Sequence, residues 1–314
     1  MIQPIELENF TMIWAYLIHL SYNMWSDRDV FPELNYPFYT YRPFLRCDEN
    51  LWDELIAEMA DAGANMVVVD IGDALKFESH PEIAIRGAWS IDKMRKKIAD
   101  IRKRGMEAIP KLNFSTCHDL WLGKYSRMVS TPEYYEVCRD LINETCQIFD
   151  KPRFFHLGMD EEEATHQRHF DLAIMRQHGL WWRDLNFFLD LVRANGSRPW
   201  IWADYVWNHH DVFFANMPKD VIQSNWYYGM DLKVEENPGK SYIDLDRAGF
   251  DQIPTVSTWE HDENLAHTLE FCTKHCDPKR ILGYIDTPWR PTLPEVRETH
   301  LRTIDQVRRA RKLI

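Results

Sequence analysis

Hydrophobic and polar positions along this chain follow two interleaved rhythms. Short runs rich in branched and aromatic residues fall at 13–25, 66–73, 107–114, 154–160, 199–206, 221–228, 252–259 and 281–287. Runs of that length and composition predict β-strands. Stretches of helical period lie between them. In 91–104, Ile91, Met94, Ile98 and Ile101 share one face, while Lys93, Arg95, Lys96 and Arg102 fall mostly on the other. Gly105 follows, where a helix end favours a residue tolerant of positive φ. Thr131-Pro132-Glu133 opens 132–149 with an N-cap and a first-turn proline. Leu265, Leu269, Cys272 and Cys276 mark a seventh helix, and Val296, Leu301, Ile304 and Val307 an eighth.

Eight strand–helix units without a linker, repeat or composition break predict an α/β fold, a closed (β/α)8 TIM barrel. The expected organisation is a single domain over 1–314, with no separate N-terminal domain. The rival is an open doubly wound sheet, which carries a glycine-rich phosphate turn after its first strand. The chain has 12 glycines and no GxGxxG or GxxxxGKS/T pattern, which weighs against nucleotide chemistry. In a barrel the chemistry sits at the C-terminal ends of the strands, so those ends carry the functional reading.

Composition narrows the partners. Hydrophobic residues at 45% and charged residues at 27% are globular values and exclude a disordered or collagen-like chain. No run reaches the ~20 apolar residues of a membrane span. A net charge of −12 argues against nucleic acid or an anionic membrane surface. The six cysteines are scattered, so reduced thiols are expected. The opening MIQPIELENF lacks the basic-then-apolar stretch of a secretory leader, giving a cytoplasmic location as the expectation. The oligomeric state is not encoded in any pattern. Thirteen Trp, 13 Tyr and 16 Phe exceed the needs of one core, and the surplus suggests a cleft of aromatic platforms of the kind that stack on sugar rings.

The strand ends fit that picture. In the fourth strand, alternation turns Phe155, Leu157 and Met159 toward the helices and His156, Gly158 and Asp160 toward the interior. Inward polar groups require partners or a ligand. For Asp160 to Glu163 the competing structural role is capping a following helix, and for Glu162 and Glu163 it is the better reading. Other strand ends finish in Asp70 and Asp73, Lys111 and Asn113 with His118 in the loop, Trp202 and Asp204, Trp226 and Tyr228, Trp259 and Glu260, and Asp286 and Trp289. Together they describe a concave, acidic, aromatic-walled binding site.

His156-Leu-Gly158-Met-Asp160-Glu161 resembles the His-x-Gly-x-Asp-Glu motif of glycoside hydrolase family 20, the β-N-acetylhexosaminidases. Further blocks match in order. Asn65 followed by Asp73 is similar to the second-strand motif. Glu78-Ser79-His80-Pro81-Glu82-Ile83 with Gly87-Ala88-Trp89-Ser90 resembles the next block. Arg104-Gly105-Met106 through Ile109-Pro110 resembles the third strand, and Ile281-Leu282-Gly283 with Trp289 the last. The resemblance covers residues 60 to 290 or so. Departures are Lys111 where glutamate is usual, one extra residue before His118, no arginine in the first strand, and Met159 in place of a glycine.

The resemblance implies action on terminal N-acetylhexosamines, with no cofactor and no metal. It makes Glu161 the general acid and then base, with Asp160 raising its pKa by like charge. It makes the substrate's own acetamido oxygen the nucleophile, oriented by Asp160. Trp202, Trp226 and Trp289 would wall the acetyl pocket, Tyr228 or Tyr227 would bind the acetyl oxygen, and Asp73, His118, His156, Asp204, Trp259 and Glu260 complete the substrate-binding set. Because adjacent strand residues point opposite ways, the chain must turn after Asp160 for Glu161 to enter as well. Three alternatives stand beside this. Glu161 and Glu260 could form a paired-carboxylate retaining glycosidase, the barrel could bind sugar without cleaving it, or His156, Asp160, His209, His210, His261 and Asp262 could supply metal ligands.

Overall fold

The computed structural model describes residues 12–29 and 38–313. The opening MIQPIELENF, read above for a leader, lies outside the described residues. All eight predicted strands are present: β1 Ile13–His19, β2 Met66–Asp70, β3 Glu107–Lys111, β4 Phe154–His156, β5 Arg198–Trp202, β6 Ile222–Ser224, β7 Thr255–Val256 and β8 Gly283–Asp286. They pair in parallel in the order β6-β5-β4-β3-β2-β1-β8-β7. Isolated bridges Gln223↔Gln252 and Trp226↔Thr255 bring β6 against β7 and complete the ring. The expected (β/α)8 barrel is therefore the observed one.

Helices α1 Glu49–Ala62, α2 Ile91–Lys103, α3 Pro132–Ile148, α4 Gly179–Ala194, α5 Tyr205–Asn208, α6 His210–Asn216, α7 Gly239–Arg247, α8 Asn264–His275 and α9 Arg297–Ala310 occupy the connections. Local chemistry fixes their starts. Asp48, Ser90 and Thr131 accept hydrogen bonds from the backbone N–H groups of Leu51, Lys93 and Tyr134 and cap α1, α2 and α3. On α2 Met94, Ile98 and Ile101 of the predicted apolar face are buried, and Ile91 is half-buried. Val296 and Cys276 fall just outside α9 and α8.

Strand alternation divides the core. Ala15, Leu17, Met66, Val68, Ile109, Phe154, Trp200, Ile222 and Ile285 pack inside the ring. Tyr16, Ile18, Val67, Val69, Phe155 and Leu157 pack against the helices. Strand β4 obeys the predicted parity: His156 meets Trp200 and Trp202 at ring distances of 4.9 and 4.1 Å.

Two expectations are corrected. Every strand ends earlier than its apolar run, because beyond the regular ladder the rim residues keep only single backbone bonds across, such as Leu20 N to Asp70 O and Phe114 N to Leu157 O. Glu162 and Glu163 cap no helix, since an irregular loop separates β4 from α4 at Gly179. Glu162 instead forms a buried ion pair with Arg176, Nε to Oε1 2.9 Å, and Glu163 accepts from Asn208 Nδ2 at 2.5 Å.

Candidate active site

The fourth strand stops at His156, and the next five residues make the turn that adjacent acids require. Gly158, Met159 and Glu161 have φ of +73°, +77° and +55°. Gly158 is obligatory here, because a Cβ would lie 1.9 Å from Asn113 Oδ1. Met159 and Glu161 hold a left-handed conformation at a cost of ~1–3 kcal/mol each, so the surroundings must impose it. The loop after β3 does much of this. Asn113 Oδ1 accepts from Met159 N (3.1 Å) and Ser115 N (3.0 Å), and Asn113 Nδ2 donates to Asp160 Oδ1 (2.8 Å). Ser115 Oγ and Cys117 Sγ donate to the carbonyls of Asp160 and Glu161. From the opposite side, Asp204 Oδ2 accepts the Glu161 N–H at 2.8 Å. Asp160 and Glu161 consequently open into one cavity.

The electrostatics follow from burial of two carboxyls against the His118 imidazole, with the Asp204 carboxyl beside them. His118 Nε2 lies 3.1 Å from Glu161 Oε2 and 3.4 Å from Asp160 Oδ2, and His166 Nε2 lies 3.6 Å from Glu161 Oε1. Burial alone would lower the His118 pKa, but the Asp160 charge and the Glu161 bond outweigh it and raise it to about 8. Burial raises the Asp160 carboxyl, with His118 opposing and Glu161 reinforcing. For Glu161 burial also pushes up, but the His118 bond and charge and the His166 charge bring it below its ordinary value. The expectation that Asp160 lifts Glu161 is thus reversed, because Glu161 holds the nearer histidine contact. Burial and the Asp160 charge push Asp204 up to about 8, against the N–H bonds it accepts.

The cavity measures about 260 Å³ and is lined by Trp25, Tyr39, His118, Asp160, Glu161, Trp202, Trp226, Tyr228, Trp259, Glu260 and Trp289. Trp202 lies buried, and Trp226 stacks on Tyr228 at 5.3 Å and 20°. Nine of the twelve residues singled out from sequence meet here: Asp160, Glu161, His118, Trp202, Trp226, Tyr228, Trp259, Glu260 and Trp289. Three lie behind the wall. Asp204 accepts from Trp226 Nε1 at 3.2 Å as well as from Glu161. His156 is fully buried, its Nδ1 accepting from Gly158 N at 3.0 Å. Asp73 accepts from Ser21 Oγ (2.6 Å) and Asn23 Nδ2 (2.8 Å), and burial pushes its carboxyl up to about 6.

Two comparisons place this architecture. Over 210 residues, 59% of the chain, it is 21% identical to a lacto-N-biosidase of Bifidobacterium bifidum. Among solved structures it superposes on a chitobiase of Flavobacterium johnsoniae with a TM-score of 0.64 at 16% identity, covering 84% of this chain and 46% of that one. An exo-β-N-acetylglucosaminidase of glycoside hydrolase family 20 from Vibrio harveyi gives a TM-score of 0.64 at 13% identity over 94% of this chain and 54% of that one. The barrel fold of this chain is the one that these solved glycosidases share. The likeness suggested by the fourth-strand motif is what both comparisons return. No family model matches the chain, which fits a divergent relative. The chain spans 18% of the length of the curated relative and about half of those two solved chains.

Against the family 20 pattern, the structure explains one departure. Lys111 is fully buried, and its Nζ donates to Asp70 Oδ2 at 2.6 Å, with His19 Nδ1 3.2 Å from the same oxygen. Burial pushes Asp70 up, but Lys111 and His19 prevail and bring it to about 2. A lysine stands in the third strand because an acid on β2 neutralises it. Asn113, His166, Trp25 and Tyr39 join the site without having been singled out as ligands. Trp25 was legible as an aromatic just past the first strand, whereas Tyr39 enters through a stack on Trp25 (4.7 Å, 30°) that no local pattern encodes. Among the described residues, the group able to gather metal-ligand atoms within 4.8 Å is His118, Asp160 and Glu161. Of the ligands read from sequence only Asp160 belongs to it; His156, His209, His210, His261 and Asp262 lie outside it.

Proposed function

We propose that this chain is a retaining glycoside hydrolase that removes a terminal N-acetylhexosamine by substrate-assisted catalysis. The observation that carries the reading is that Asp160 and Glu161, neighbours in sequence, open together into one small cavity walled by indoles. The cavity, at about 260 Å³, lies below the ~300–1,000 Å³ typical of drug-sized ligands, in keeping with one sugar ring.

In the first step the acetamido carbonyl oxygen bonds to C1 while the C1–O glycosidic bond breaks. The Glu161 proton passes to the departing oxygen, and the aglycone leaves as an alcohol. Asp160 accepts the acetamido N–H and faces the positive charge that spreads over the new ring. In the second step water attacks C1, its proton goes to the Glu161 carboxylate, and the ring reopens to the acetamide. Seating a sugar expels water from around Glu161, which raises its pKa toward the acid form that the first step needs.

A second reading uses Glu260 as an enzymic nucleophile opposite Glu161, and Glu260 does line the same cavity. A panel of chromogenic glycosides with and without the 2-acetamido group separates the two. The substrate-assisted route turns over only the acetamido sugars and is inhibited by a thiazoline that mimics the cyclised intermediate. Cleavage of plain glucosides, lost in Glu260→Gln, would establish the other. Glu161→Gln lowers turnover of an N-acetylhexosaminide by about 10²–10⁴-fold, the usual share of a positioned acid. Unaltered turnover in that variant removes Glu161 from the mechanism, and glycan binding without any turnover reduces the barrel to a binding module.

A further inference from the structure

Asp204 is drawn into the site by two bonds that a substrate ligand would not need. It lies in the loop between β5 and α5, is buried, and does not line the cavity. Its Oδ2 takes the backbone N–H of Glu161 at 2.8 Å, and its Oδ1 takes the indole N–H of Trp226 at 3.2 Å. One carboxyl therefore joins the strained residue that carries the acid to an aromatic wall of the cavity. The Glu161 backbone sits at φ +55°, a conformation costing a non-glycine residue ~1–3 kcal/mol unless its surroundings hold it. The bonds from the β3 loop reach the carbonyls of Asp160 and Glu161 and the N–H of Met159. The N–H of Glu161 is held by Asp204.

We propose that Asp204 is the positioning residue of the acid/base, fixing the peptide of Glu161 so that its carboxyl reaches the glycosidic oxygen, and aligning Trp226 with it. The inference rests on the proposed hydrolase reading and deepens it. Without an acceptor at 204 the Glu161 N–H loses its partner inside the protein, and the peptide relaxes toward a common region of φ. The side chain then swings off the line of proton transfer, and a misplacement near 1 Å costs about 10²-fold. Asp204→Asn is the informative change. The amide keeps shape and volume, yet its NH₂ must face one of two N–H donors. A carboxylate accepts at both oxygens, and even a protonated acid retains a lone pair on its hydroxyl. An amide nitrogen cannot accept.

The test compares kcat/KM, which reads the bond-breaking step, on two glycosides of the same N-acetylhexosamine. One carries a dinitrophenyl group that leaves without a proton, and the other an alkyl aglycone that needs one. Asp204→Asn lowers kcat/KM by about 10²-fold on the alkyl glycoside and less than about threefold on the dinitrophenyl one. Thiazoline affinity stays within the same threefold. Equal losses on both substrates, or none on either, overturn the assignment, since a merely structural role has no dependence on the leaving group. Glu161→Gln runs in parallel. If it lacks the leaving-group signature, the hydrolase reading itself has failed; if it shows the signature and Asp204→Asn does not, only this inference has. A second measurement uses the unaltered chain and so survives a variant that does not fold. Amide exchange at Glu161 should be slowed at least tenfold relative to the exposed Glu163–Thr165 stretch, and an unprotected Glu161 amide removes the bond and the role with it.

Discussion

Two buried charge clusters share strand β3, and they resolve burial in opposite ways. At the strand's end, Lys111, Asp70 and His19 bring one ammonium against one carboxylate, and the carboxyl falls to about 2. Just beyond it, the β3 loop brings His118 to Asp160 and Glu161, with Asp204 behind them, so acids outnumber the base. The first cluster is closed and balanced. The second opens into the cavity and carries excess acid, which leaves its groups with displaced and mutually dependent affinities for protons. Burial is common to both. Imbalance of charge, with access, is what makes the second suited to moving a proton.

The largest effect expected from breaking this contrast is on stability. Lys111→Met leaves Asp70 buried without its ammonium, and removing one partner of a buried pair costs about 3–5 kcal/mol. Denaturant unfolding monitored by tryptophan fluorescence should show that loss. The double change Lys111→Met with Asp70→Leu should recover most of it, because well-packed apolar residues often replace a buried pair without penalty. Turnover per folded molecule should stay within an order of magnitude. A collapse of kcat at unchanged stability would instead put the balanced cluster inside the reaction.

The counterpart on the unbalanced side acts on rate. Asp160→Asn removes the charge facing the cationic intermediate, and loss of one such preorganised group costs about 10²–10³ in kcat, or about 2.7–4 kcal/mol of transition-state stabilisation. The same variant should melt no lower than the unaltered protein, because it relieves the burial penalty on the Asp160 charge and its repulsion with Glu161. A lowered melting point with kcat intact would exchange the roles of the two clusters.

How much of this was legible beforehand divides along the same line. The eight strand–helix units and the inward parity of His156 and Asp160 follow from spacing alone, since period 2 and period 3.6 are local properties of the chain. The meeting of nine aromatic, acidic and histidine side chains in one cavity follows from reading strand ends in a barrel. What escaped depends on partners far apart in sequence. Glu162 reads as a helix cap until Arg176 is seen folded back on it, and Arg176 reaches it through an irregular loop without periodicity. Glu161 falls below its ordinary value instead of rising beside Asp160, because adjacency reveals repulsion but not that His118 and His166 both face Glu161. Tyr39 and the two bonds of Asp204 are likewise tertiary facts.

The smallest effect sharpens the contrast by pH. His118 is raised from 6.5 to about 8 by the two acids, so folding strengthens its hold on a proton. A raised pKa in the folded state contributes stability that is fully present below the unfolded value near 6.5 and is lost as pH climbs through 8. At 1.36 kcal/mol per unit the loss is about 2 kcal/mol. Melting temperature measured at constant ionic strength should therefore decline between pH 6.5 and 9. His118→Gln should leave only the part of that decline that Asp204, raised to about 8, contributes, and add a pH dependence at lower values, where Asp160 and Glu161, deprived of the imidazolium, take up protons of their own. Asp70, depressed to about 2, is fully ionised across this window and contributes nothing to it. A decline that survives His118→Gln unchanged would mean that the histidine carries no proton at neutral pH and that the acids share theirs without it.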